Sequence, residues 1–133
     1  MPLLVGIVLA VAVGLLGRLA GFDKDRAFYP TVTIVVAHYY ALFALMGAPT
    51  DILLVECLIG GVFLVAAIAG FRTSLWIVAM ALAAHGVMDL VHGRFVVNAG
   101  VPSFWPPFCM TFDVAAAVIL AGLLATGRTR AAR

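Results

Sequence analysis

Five apolar runs, each about as long as a bilayer is thick, take up most of this chain and leave little of it free to fold any other way. A helix crosses a membrane with about 20 mostly apolar residues. Such runs occupy about 2–20, 30–46, 51–71, 73–97 and 107–126 of the 133 residues. Hydrophobic residues make up 65% of the sequence and charged ones 11%, where a soluble domain holds about half and about a quarter. That balance excludes a soluble fold and a disordered chain. Eight Lys/Arg against six Asp/Glu give a formal charge of +2, too little for a basic face that would bind nucleic acid. The runs do not alternate as the strands of a transmembrane barrel must. The expectation is an all-α integral membrane bundle of five transmembrane helices, folded as a single domain over 1–133.

The punctuation between the runs agrees. Pro30 and the pair Pro106–Pro107 stand where a helix start tolerates a missing N–H. Thr50 or Asp51 can cap the third helix and Thr73 or Ser74 the fourth, and Gly47 and Gly70 suit helix ends. The first run has no Lys or Arg before Arg18, so it lacks the basic flank of a signal peptide and reads as a retained helix.

With five spans, Arg18, Lys24, Arg26, Arg72, Arg128, Arg130 and Arg133 share one side, and only Arg94 lies toward the other. By the positive-inside rule the crowded side is cytoplasmic. The N-terminus is then outside and the C-terminus inside, in a multi-pass protein of a bacterial plasma (inner) membrane. Its expected partners are membrane lipids, and a homo-oligomer or a larger membrane complex; nucleic acid is not among them.

Six ionisable residues interrupt the apolar runs: His38, Glu56, His85, Asp89, His92 and Asp113. Such groups are costly in lipid and normally face a bundle interior or a wet cavity. At about 1.5 Å per residue, all six fall roughly 5 to 15 Å below the outer ends of their helices. The orientation used only Lys and Arg, so this agreement in depth is independent of it. Within His85-Gly86-Val87-Met88-Asp89-Leu90-Val91-His92, positions i, i+4 and i+7 lie on one helical stripe, which presents two imidazoles and a carboxylate together.

Three carboxylates at one level, with little basic charge nearby, must hold protons or find a cation. Imidazole with carboxylate suits a divalent transition metal, zinc or iron before copper. The expected metal ligands are His38, His85, Asp89 and His92, with Glu56 and Asp113 as catalytic acid/base groups. Each residue taken singly also has a plainer reading, as an interhelical hydrogen-bonding group.

Other features carry less. Cys57 and Cys109 both fall toward the outer face; they can pair, pack, or add soft ligands beside Met88 and Met110. Tyr39 and Tyr40 follow His38 and can either donate hydrogen bonds to a polar site or fill the core. Phe104-Trp105-Pro106-Pro107-Phe108 reads as an interfacial belt or a lid. No phosphate-binding glycine loop or GxSxG elbow is present, and Ser74 and Ser103 are the only serines, which argues against a serine hydrolase or an ATP-driven machine.

The stretches FDKDRAFYP, HGVMDLVHGR and WPPFC resemble small bacterial integral membrane proteins of unknown function. The resemblance covers about half of the chain and implies no activity. The residues themselves leave three readings: a membrane metalloenzyme acting on a lipophilic substrate or a metal-handling protein, a proton-coupled carrier working as an oligomer, and a non-catalytic subunit of a larger complex.

Overall fold

The computed structural model describes residues 1–130; Arg133, counted above with the basic tail, lies outside them. The order is α1 (Pro2–Ala20), a short 3-10 turn (Phe22–Lys24), α2 (Phe28–Gly47), α3 (Thr50–Arg72), α4 (Leu75–Phe95) and α5 (Trp105–Ala125). The described residues form no strand. All five helices are long and apolar enough to cross a membrane, as in a multi-pass membrane protein.

The ends follow local chemistry. Helix α4 starts after Ser74, whose Oγ accepts from the Trp76 N–H at 3.4 Å, the usual service of an N-cap serine. Helix α5 begins at Trp105 and carries its two prolines in the first turn, where no N–H is missed. Helix α4 stops at Phe95, since Val96 is already extended (φ −128°, ψ 114°).

Adjacent helices pack as antiparallel neighbours, α2 on α3, α3 on α4 and α4 on α5, while α1 returns to lie against α5. Small residues permit these approaches. A Cβ on Gly86 of α4 would come within 3.1 Å of the Met110 carbonyl oxygen and 3.0 Å of Val114 on α5. The apolar core lies between α2, α4 and α5, around Val36, Val78, Leu82, Phe112 and Leu120. Outward faces stay apolar: Leu3, Val8 and Leu16 of α1 and Leu54, Leu58 and Val62 of α3 are exposed, as a lipid-facing surface requires.

One end of the bundle is tied together by its basic loop. Arg26 donates to the carbonyls of Gly70 at 3.3 Å and Phe71 at 2.9 Å, at the C-terminus of α3, and to Arg130 O at 2.8 Å. Arg18 pairs with Asp23 at 3.2 Å, and the Thr129 hydroxyl donates to the Asp23 carbonyl at 3.0 Å. The α1–α2 connection, the α3–α4 junction and the start of the C-terminal tail therefore meet at one end, as alternation of five spans demands. Residues forming the polar site lie toward the opposite end.

Candidate metal centre

Helix α4 supplies the spine of the site. Its stripe of His85, Asp89 and His92 is buried throughout, facing α2, α3 and α5. Around it the buried polar residues divide into two groups.

The deeper group joins α4 to α5. His85 Nδ1 lies 2.6 Å from Asp113 Oδ2 and 3.7 Å from Asp89 Oδ2. Cys109, one turn before Asp113, brings its Sγ to 3.7 Å from Asp113 Oδ2. One ligand atom from each of His85, Asp89, Cys109 and Asp113 lies within 4.8 Å of all the others, and all four side chains are buried. The rings of Phe63 on α3 and His85 meet in a T-shaped contact, their centroids 4.8 Å apart. Three atoms of this group, His85 Nε2, Asp89 Oδ2 and Asp113 Oδ1, are buried without a hydrogen-bond partner among the described residues. Each such orphan costs about 1–3 kcal/mol.

The second group joins α4 to α3 and to the α4–α5 loop. His92 Nε2 lies 3.0 Å from both oxygens of Glu56. Asn98 donates from Nδ2 to Glu56 Oε1 at 2.8 Å and to the Tyr40 carbonyl at 3.0 Å. Its Oδ1 accepts from the Gly100 N–H at 3.1 Å. Gly100 rests against the backbone of Phe43, where a Cβ would overlap the carbonyl oxygen. The loop is thus fastened across α2 and α3, and both Glu56 oxygens are satisfied.

Tyr40 of α2 links the two groups. Its hydroxyl donates to Asp89 Oδ1 at 2.7 Å, and its ring stacks on His92 at 3.9 Å. It serves both readings the sequence left open, as a donor to the site and as a core residue 1% exposed. Tyr39 instead packs on Trp105 at 4.8 Å and on Phe43.

Of the four residues expected as metal ligands, His85 and Asp89 meet, joined by Asp113 from the pair expected as acid/base groups. His92 is engaged with the other such residue, Glu56. His38 stands apart: half-buried, it donates from Nδ1 to the Ile34 carbonyl of its own helix at 2.7 Å and faces Gly60 of α3. Cys57 is exposed and Cys109 buried, and both are free thiols, so the disulfide option falls away and the soft-ligand option survives for Cys109. Asn98 had no role in the sequence reading; a loop amide carries no spacing signal. Trp105 packs into the aromatic cluster with Tyr39, Phe43 and Phe108.

The four-residue group is chemically suited to a cation. Zinc binds nitrogen, oxygen and sulfur at about 2.0–2.3 Å, so tetrahedral ligands stand about 3.3–3.8 Å apart. The observed limit of 4.8 Å needs only a modest inward adjustment of side chains. An imidazole, two carboxylates and a thiol form a mixed set that fits borderline divalent ions. No protein family, curated protein or solved structure matches this chain.

Proposed function

We infer that this is a membrane-embedded metalloprotein of the plasma membrane, and that His85, Asp89, Cys109 and Asp113 hold a divalent transition metal, zinc or iron. The observation that carries the reading is the convergence of these four buried ligand groups from two helices. Three orphaned polar atoms in the same place support it, because a bound cation would supply the partner that Asp89 Oδ2 and Asp113 Oδ1 lack. The Tyr40 hydroxyl orients Asp89 from outside the ligand set, the service an outer hydrogen-bond partner gives a metal ligand.

The chain's own residues set what such a centre can do. The Phe63 ring and the buried core keep bulk water from His85. The Glu56–His92 pair, with Glu56 also accepting from Asn98, ties α4 to α3 and to the α4–α5 loop. A bound zinc or iron would supply Lewis-acid activation, on a lipophilic molecule given where the site lies. The bias of basic residues toward the end remote from the site supports a site in the outer half of the membrane.

Cobalt(II) titration of the protein in mild detergent tests the reading. The expected result is saturable binding with a thiolate-to-cobalt absorption band that disappears in Cys109→Ser. Absence of cobalt binding by folded protein would overturn it.

A further inference from the structure

The basic loop at one end of the bundle forms the mouth of an apolar groove. Helix α1 lies against α5, which leaves a groove of about 640 Å³ between α1 and α2, floored by Phe112 of α5. Leu9 and Val13 line one wall, Val32 and Val35 the other. Leu9 and Val35 are also exposed, so the groove is open along its lipid-facing side. Phe22, Asp25 and Phe28 line the end at the loop, and Tyr39 marks the far end. From Phe28 to Tyr39 the groove runs about 16 Å along α2, close to the roughly 15 Å depth of one hydrocarbon leaflet.

Lys24 stands between Phe22 and Asp25 in the loop that makes this mouth, and it is exposed. The start of the C-terminal tail is fastened to the same loop. The Thr129 hydroxyl donates to the Asp23 carbonyl at 3.0 Å, and Arg26 Nη1 donates to the Arg130 carbonyl at 2.8 Å. These bonds bring Arg128 and Arg130, both exposed, to the loop that carries Lys24. The acids there do not offset the charge. Asp23 is buried and paired with Arg18 at 3.2 Å, and Asp25 Oδ1 accepts from the Ala27 N–H at 3.0 Å. Among the described residues, six Lys/Arg at this end stand against those two carboxylates, and no ion pair holds Lys24, Arg128 or Arg130.

Surplus positive charge at the mouth and an apolar slot one leaflet deep behind it match the two parts of an anionic lipid. We propose that this end of the protein holds one anionic phospholipid, its phosphate on Lys24, Arg128 and Arg130 and one acyl chain in the groove toward Tyr39. The second chain stays in the bilayer, as the open side of the groove permits. A zwitterionic headgroup brings its own cation to the basic cluster and gains less there. A fatty acid would set its carboxylate at the end of the chain, level with Asp25, whereas a glycerol backbone carries the phosphate outward past it. The binding is independent of the metal-ligand group.

Native mass spectrometry of the full chain in mild detergent, with dioleoyl phosphatidylglycerol added, tests the proposal. One phosphatidylglycerol per chain is expected to be retained. Binding should saturate, weaken as salt is raised, and exceed that of dioleoyl phosphatidylcholine and of oleate. Lys24→Gln and Arg128→Gln should each weaken it about fivefold. Val35→Trp fills the groove from its open side and should abolish retention while helicity is unchanged. Equal retention of phosphatidylcholine, or retention unchanged in the Lys24→Gln/Arg128→Gln double variant, would overturn the headgroup assignment. Retention unchanged in folded Val35→Trp would overturn the groove as the seat of the chain, and tighter binding of oleate would overturn the phospholipid as occupant.

Discussion

The ring of Tyr40 stacks on that of His92 at 3.9 Å with 26° between their planes, while its hydroxyl reaches the other way to Asp89 at 2.7 Å. One side chain of α2 thereby holds two residues of α4 that differ in role. Asp89 belongs to the candidate ligand group with His85, Cys109 and Asp113; His92 belongs with Glu56 and Asn98.

Tyr40→Phe separates the two functions of that ring. The stack on His92 survives and the donor to Asp89 is lost. Removing an outer-shell partner typically weakens metal binding by about 10–100-fold, and loss of a hydrogen bond to a charged group costs about 1.5–3 kcal/mol. Metal titration and thermal unfolding in detergent should show both effects. An unchanged metal affinity would mean that Asp89 is not held for a metal.

Gly100 and Gly93 are expected to respond oppositely to alanine. A Cβ at Gly100 runs into the Phe43 carbonyl, whereas one at Gly93 meets nothing within 4 Å. Gly100→Ala should destabilise by about 1–3 kcal/mol, as overpacking does, and loosen the grip of Asn98 on Glu56. Gly93→Ala, on the exposed side of α4, should be neutral or stabilise by up to about 1 kcal/mol. Paired unfolding curves decide this.

Arg26 is expected to resist conservative replacement. It spans the Gly70 and Phe71 carbonyls at the end of α3 and the Arg130 carbonyl, using the fork of donors that only a guanidinium presents. Arg26→Lys keeps the charge yet should recover little of the stability lost in Arg26→Ala. Full recovery in the lysine variant would assign the effect to charge alone.

The helices were legible in the sequence because lipid demands length and apolarity from each span, and both are written residue by residue. Their ends moved by about two residues for local reasons. At α5 the prolines enter the first turn, so the helix begins at Trp105 instead of 107. At α4 the extended Val96 ends the helix before 97. That polar residues of α3, α4 and α5 meet at a common level of the bundle was legible too, since rise per residue fixes position along a helix. Rotation was not. Successive residues turn about 100° around a helix, and a single sequence does not say how neighbouring helices are turned relative to one another. His38 shares the depth of the site, yet its Nδ1 goes to Ile34 O. His92 shares the stripe of His85 and Asp89, yet it meets Glu56. Cys109 did carry a signal: it stands four residues before Asp113, the same i, i+4 spacing that sets His85 with Asp89.

Metal content of the purified protein, measured by mass spectrometry alongside four variants, tests the central claim most directly. The division into two groups predicts near-stoichiometric zinc or iron in the wild type. That metal should be lost in His85→Ala and Asp113→Asn and retained in His92→Ala and His38→Ala. Metal-free wild type that is folded, or metal that leaves with His92 and stays without His85, would contradict the account.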